Sequence, residues 1–127
     1  MACPFFQPVR RIAEADRWTH VPRLPLGDFF EGVCRSREGE VFGPSEETVR
    51  ELCCWGYSRG RCDRFPADAK ADAVRFSVSS GRLIYILERD GSPVEHGEVV
   101  RGAASELLLA QARAFAESVG AAPHAAL

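Results

Sequence analysis

The sequence predicts a single α+β domain. A cysteine-bearing N-terminal half of loop and helix is expected to pack against a three-stranded antiparallel meander and a C-terminal amphipathic helix. Two observations support this fold class: polar and apolar residues alternate in short segments separated by turn residues, and apolar residues recur at helical spacing in residues 103–119. We expect the domain to span residues 1–120, with residues 121–127 as a flexible tail.

The first part of the chain is predicted to be irregular. Residues 1–33 contain several prolines, which remove backbone donors and disfavour helix in the residue before each of them. We expect an arm there, anchored by its aromatic side chains, with one short helical piece in residues 9–18. Cys34 is placed in a loop, because the polar run of residues 35–40 follows it.

A short helix is predicted to begin after Ser45. The serine can cap the first turn, and the two glutamates that follow suit the positive end of the helix dipole. Gly56 is expected to end this helix. Cys53 then lies in the last turn, on the face that Val49 and Leu52 share.

The second half of the chain predicts the meander. The apolar pattern indicates strands at residues 74–78, 83–87 and 94–100. The pair Asp90-Gly91 is a strong signal for the tight turn of a hairpin, which joins the second strand to the third.

The last predicted element is a helix over residues 103–119, ended by Gly120. Its apolar side chains fall on one face, which comprises Leu108, Ala112, Phe115 and Val119 and is widened by Leu107 and Ala116. Such a face needs an apolar surface to cover, and the meander offers one.

Composition limits the classes of function. The 127 residues carry a formal net charge of -2, which argues against a general nucleic-acid or anionic-membrane binder. No apolar run approaches the roughly 20 residues that a membrane helix needs, and the N-terminus lacks a signal-peptide pattern. We therefore expect a cytoplasmic protein with reduced thiols, in which clustered cysteines bind metal or do redox chemistry more often than they form disulfides.

The cysteines indicate a metal centre, because three of the five fall in residues 53–62. Thiolates are soft ligands that select zinc, cuprous copper or iron–sulfur clusters. The eight residues between Cys53 and Cys62 are typical neither of zinc knuckles nor of ferredoxin runs. Neighbouring helical residues point about 100° apart, so Cys53 and Cys54 rarely reach the same small centre. We choose Cys53 because it shares the face of Val49 and Leu52. The predicted ligands are Cys3, Cys34, Cys53 and Cys62.

The surroundings of these cysteines favour an iron–sulfur cluster, preferably 4Fe–4S, over zinc as the alternative. A four-thiolate cluster is anionic, and Arg59 and Arg61 can offset its charge. Gly56 and Gly60 shape a loop whose backbone N–H groups can point at the sulfurs.

Residues 53–62 also resemble a motif of small uncharacterised bacterial proteins, Cys-x-x-Gly-Tyr-x-Arg-Gly-x-Cys. Glu88-Arg89-Asp90 and Glu95-His96-Gly97 are similar to further stretches of that group. The resemblance covers the chain from Cys3 to about Gly97 and implies no activity. It implies that the four cysteines of those proteins correspond to Cys3, Cys34, Cys53 and Cys62, with Cys54 standing where another residue is expected.

These observations give three functional hypotheses. The first is a small iron–sulfur protein that exchanges electrons with a redox partner protein, or serves as an accessory subunit of a larger oxidoreductase, and that is not an enzyme on its own. The second is a zinc-stabilised interaction module. The third is a thiol-based redox sensor that uses Cys53, Cys54 or Cys62.

Overall fold

A computed structural model describes residues 2–12 and 30–119 of the chain. These residues form five strands and two helices, the first of which continues as a π-helical turn. The elements are β1 (Phe6–Arg11), β2 (Phe30–Cys34), α1 (Glu46–Thr48), the π-helical turn (Val49–Cys53), β3 (Ala73–Ser79), β4 (Arg82–Arg89), β5 (Ser92–Glu98) and α2 (Glu106–Val119). Strands β1 and β2 make one antiparallel sheet, and the other three make a second sheet in the order β3-β4-β5.

The predicted antiparallel meander is confirmed. Its two turns place Ser80-Gly81 and Asp90-Gly91 at positive φ, which is the backbone conformation of the tight hairpin turns that match strand twist. Strand β5 begins at Ser92 and ends at Glu98, so it lies two residues earlier in the chain than predicted. The pairing shifts register between Leu87 and Glu88, opposite the start of β5.

The N-terminal half differs from its prediction, because strands β1 and β2 replace the irregular arm. The prolines exclude a helix, but an edge strand accepts proline, and Pro8 lies opposite Gly32 at a register shift. A Cβ at Gly32 would lie 2.0 Å from the carbonyl oxygen of Gln7, so this pairing requires glycine. Cys34, predicted in a loop, is the last residue of β2. The helical piece predicted for residues 9–18 is wrong at 9–11, and residues 13–18 lie outside the described range.

The helix predicted after Ser45 is present but short. The Ser45 side chain accepts a hydrogen bond from the backbone N–H of Thr48, as expected for a cap. After one turn the winding loosens, and the N–H of Cys54 donates to the carbonyl of Val49, five residues back. Gly56 ends the element with φ of +88°, as predicted.

Helix α2 begins three residues later than predicted, because Ser105 caps it by accepting from the N–H of Leu108. Ala112 and Ala116 are buried on the predicted face, and the ring of Phe115 lies 5.8 Å from that of Phe76 on the meander. One apolar core joins α2, the meander and the cysteine-bearing half. No helix in the described ranges is long and apolar enough to cross a membrane. The tail predicted for residues 121–127 lies outside those ranges.

Candidate metal centre

Four cysteines that are far apart in sequence line one cavity of about 260 Å³. They are Cys3, Cys34, Cys53 and Cys62, the four that the sequence analysis chose, and all are free thiols. Aromatic and aliphatic side chains form much of the remaining wall: Phe5, Phe6, Phe42, Pro44, Leu52 and Phe65. The structure therefore brings the four predicted thiols together, while their role as metal ligands stays a prediction.

Backbone hydrogen bonds fix the two more buried cysteines against each other. The N–H of Cys3 donates to the carbonyl of Cys53 over 2.9 Å. One residue earlier, Ala2 exchanges two hydrogen bonds of 2.8 Å with Val74 on β3. The segment before β1 is thus held between the π-helical turn and the meander, and this position carries the Cys3 side chain to the cavity.

The other two cysteines lie at the more exposed side of the cavity, where both are half-buried. The N–H of Cys34 donates to the carbonyl of Phe42 over 2.7 Å, which closes the loop between them. The Cys34 sulfur also lies 3.0 Å from the hydroxyl of Ser36. Cys62 ends a tight turn in which its N–H donates to the carbonyl of Ser58 over 2.8 Å.

Cys53 and its neighbour Cys54 have different surroundings. Cys53 lines the cavity, whereas Cys54 is absent from the cavity wall and fully buried in the core. The Cys54 thiol donates to the carbonyl of Phe30 on β2 at 3.6 Å. The helical-phase argument therefore selected the cysteine that faces the cavity.

Burial makes the inner thiols reluctant to ionise. It raises the pKa of Cys3 to about 12, helped by the nearby sulfurs of Cys34 and Cys62, although hydrogen bonds from the Phe5 backbone and the Ser58 side chain act in the opposite direction. Burial, then the neighbouring sulfurs with Cys3 first, also raise the pKa of Cys53. Without added positive charge, both side chains are neutral thiols at neutral pH.

Arg59, which we expected beside the cysteines, does not line the cavity. Its guanidinium is 2.5 Å from the buried carboxylate of Asp72 and donates to the carbonyls of Ala67 and Ala69. It also lies over the ring of Phe65, with its Cζ 5.0 Å from the ring centre. Arg59 thus ties the cysteine loop to the start of β3.

Tyr57 also ties the cysteine loop to the meander. Its hydroxyl donates to the buried carboxylate of Glu88 over 2.5 Å, and Arg75 donates to the second oxygen of that carboxylate. The backbone N–H of Tyr57 donates to the carbonyl of Asp72. The tyrosine and the first arginine of the motif at residues 53–62 therefore dock the loop onto the meander.

Two other arginines of this segment do line the cavity, namely Arg61 and Arg64. Arg61 is exposed, whereas the Arg64 side chain is only 17% exposed and stacks on Phe42, with its Cζ 3.9 Å from the ring centre. Glu40, first, and the Cys34 sulfur raise the pKa of Arg64 against the effect of burial. The sequence analysis did not select Arg64, because its position two residues after Cys62 gave no sign of where its side chain points.

The two glycines predicted to aim backbone N–H groups at the sulfurs are not part of the cavity wall. The N–H of Gly56 donates to the carbonyl of Leu52, which closes the helix end. Gly60 is exposed with φ of +80°, so it allows the chain to reverse before Cys62. Both glycines shape the loop that carries the thiols.

Gln111 supports the site from outside the cavity, and the sequence analysis missed it. It is 2% exposed in the middle of α2, and its amide donates to the carbonyls of Cys3, Pro4 and Phe6. A glutamine on the apolar face of an amphipathic helix was the available signal, because a buried amide needs hydrogen-bond partners.

The four thiols line one cavity but do not form a ready-made metal site. Within residues 2–12 and 30–119, no group of three or more His, Cys, Asp or Glu side chains is placed so that it could hold a metal ion. Comparisons of the chain with models of protein families, with curated proteins and with solved structures found no match.

Proposed function

We propose that this chain is a small iron–sulfur protein whose cluster, preferably 4Fe–4S, is held by Cys3, Cys34, Cys53 and Cys62. In this proposal it exchanges electrons with a redox partner protein or acts as an accessory subunit of a larger oxidoreductase. The observation that supports it is the convergence of four thiols, from four separate segments, on one cavity with an apolar wall. Four cysteine thiolates are the usual ligand set of such clusters.

The size of the cavity favours a polynuclear centre over one ion. A zinc ion needs all four sulfurs about 2.3 Å from a single point. In a cluster each thiolate binds a different iron, so the sulfurs lie further apart around a larger core. A cavity of about 260 Å³ has room for such a core.

The burial of the thiols favours a bound metal over a reactive cysteine. Cys3 and Cys53 are neutral at neutral pH when no positive charge is near, because burial raises their pKa values. A reactive thiol needs the opposite environment, with a lowered pKa and access to solvent. Metal ions supply the charge that keeps buried cysteines as thiolates.

The remaining residues of the site would control water and access. Phe5 and Phe6 line the cavity beside Cys3 and exclude water from its inner part. Cys34 and Cys62 are half-buried, so a partner protein would approach from their side. A bound cluster supplies the capacity to accept and return one electron.

The test is to purify the protein without oxygen, or to reconstitute it with iron and sulfide, and to measure its visible spectrum together with its iron, sulfide and zinc contents. We expect a brown protein with a broad visible absorption and iron and sulfide in similar amounts. A colourless protein with one tightly bound zinc would replace the proposal with the zinc-stabilised module. A protein that binds neither metal under both conditions would contradict both readings.

A further inference from the structure

The guanidinium of Arg64 is only partly satisfied by the protein. Its Nη2 forms an ion pair with Oε1 of Glu40 over 2.7 Å. Its Nε is also buried and has no acceptor among the residues that the structure describes. The ring of Phe42 covers one face of the guanidinium. A buried N–H donor such as this Nε, without an acceptor, is rare in native proteins, because it is costly.

The position of the Arg64 side chain indicates where an acceptor for its remaining N–H groups would lie. Arg64 lines the same cavity as Cys34 and Cys62, two residues after the latter. Since Phe42 and Glu40 occupy other sides of the guanidinium, an acceptor within the cavity would meet the donors that are left. The chemistry of that acceptor is anionic, because the donor is a permanent cation.

We infer that Arg64 is a positioning residue for an anionic thiolate–sulfide centre, and that its N–H groups donate to sulfur at the Cys34 side of the cavity. This inference rests on the proposed function. An N–H donor to a cluster sulfur stabilises the reduced state more than the oxidised state, because reduction adds negative charge. Arg64 therefore raises the reduction potential and helps to retain the centre.

The other two arginines of this segment do not meet the same requirements. Arg59 is occupied by Asp72 and by two backbone carbonyls, away from the cavity. Arg61 lines the cavity but is exposed, so water screens its charge. Of these three arginines, Arg64 is therefore the one that we expect to raise the reduction potential of the centre.

The test compares reduction potentials of the cluster-loaded protein and three variants. Arg64→Gln should lower the potential, by an amount of the order of the 59 mV that corresponds to a tenfold change for a one-electron couple. Glu40→Gln removes a negative charge beside the intact Arg64 and should raise the potential. Arg82→Gln is the matched control, because Arg82 is exposed on β4 and does not line the cavity, and its potential should stay close to that of the wild type.

The opposite signs separate this inference from a merely structural role. Loss of packing would reduce the stability of both the Arg64 and the Glu40 variants, but it would not move their potentials in opposite directions. Far-ultraviolet circular dichroism checks that each variant is folded, and Arg64→Lys, which keeps the charge, should recover part of the potential. If Arg64→Gln does not fold, Arg64→Lys decides the question, and its potential should lie below that of the wild type because lysine lacks the guanidinium N–H groups.

Two results would overturn the inference, and they are distinguishable. A brown wild-type protein whose potential is the same in the Arg64 and Glu40 variants would remove Arg64 from the centre and leave the proposed function standing. A wild-type protein that takes up no cluster would remove the proposed function, and this inference with it.

Discussion

The carboxamide of Gln111 donates to the carbonyl oxygen of Cys3 over 3.2 Å, although 108 positions separate the two residues in the chain. The same nitrogen lies 2.8 Å from the carbonyl oxygen of Phe6. The final helix therefore holds the first strand and the cysteine before it. The geometry of the cavity therefore depends on Gln111, although Gln111 does not line the cavity.

The first prediction is that Gln111→Leu destabilises the protein and loosens its cysteine site. The leucine fits an apolar helix face but leaves buried carbonyl oxygens without their donor, which costs about 2 kcal/mol of unfolding free energy. Urea denaturation measures this loss. Metal content per chain should fall in the same variant, because Cys3 loses one of the contacts that fix its backbone.

Gln7→Leu is the control for that substitution. Gln7 accepts a hydrogen bond from Arg35 at the surface, so its loss should change the free energy of unfolding by less than about 0.5 kcal/mol. Equal effects of the two substitutions would show that the buried contacts of Gln111 carry no special weight.

The second prediction concerns the adjacent cysteines. Cys53→Ala should abolish metal retention, whereas Cys54→Ala should keep it, because only Cys53 lines the cavity. Cys3→Ala, Cys34→Ala and Cys62→Ala should behave like Cys53→Ala. Iron and sulfide contents, together with the visible spectrum of each purified variant, decide the matter. Retention by Cys53→Ala and loss by Cys54→Ala would reverse the assignment.

The third prediction is that Arg59→Gln reduces stability and leaves the reduction potential nearly unchanged. Removing Arg59 leaves the carboxylate of Asp72 buried without its ion-pair partner. We expect a loss of about 2 kcal/mol, less than for a fully buried pair because the Arg59 side chain is 26% exposed. Urea denaturation and a redox titration measure the two quantities.

The matched control is Arg10→Gln. Arg10 and Glu31 form an ion pair with the same 2.5 Å separation, but both side chains are more than half exposed. Solvent screens this pair, so its loss should change stability little. A large drop in the reduction potential of Arg59→Gln would instead place its charge near the centre.

The fourth prediction concerns acid. Burial alone would raise the pKa of Asp72, but hydrogen bonds from the Asp90 backbone and from Arg59 outweigh it, and the pKa lies below its ordinary value of 3.8. A lowered carboxyl pKa stabilises the folded state when the pH is above the ordinary pKa of the group. This contribution disappears as the pH falls through the folded-state pKa.

The measurement compares Asp72→Asn with the wild type by urea denaturation. The wild type should be the more stable of the two at about pH 6, and the difference should shrink as the pH falls below 3.8 and through the folded-state pKa of Asp72. Other carboxylates titrate in both proteins, so only the difference reports on Asp72. A difference that stays constant with pH would show that its charge does not contribute.

The meander could be predicted from the sequence because its signals are local. Alternation within each strand, and the pair Asp90-Gly91 between two of them, act over a few residues. The position of Cys53 on the cavity side followed from helical spacing, which is also local. Its role as a ligand stays a prediction.

The pairing of β1 with β2 could not be predicted, because it joins residues 19 to 28 positions apart and Pro8 masks the strand pattern. The roles of the arginines were equally hidden. Arg59 and Arg64 flank the same cysteine in sequence, and only the fold shows that Asp72 draws the first away while Phe42 and Glu40 hold the second at the cavity.

The contacts of Cys3 join the beginning of the chain to segments that are synthesised much later. During synthesis Cys3 emerges before the residues that fix its position. Its neighbour Ala2 pairs with Val74, and its own carbonyl accepts a hydrogen bond from Gln111. An incomplete chain that ends before α2 lacks the amide that fixes the first wall of the cavity. Under the proposed function, a cluster would be inserted only into a chain that already includes α2, and the four thiols would have to stay reduced until then.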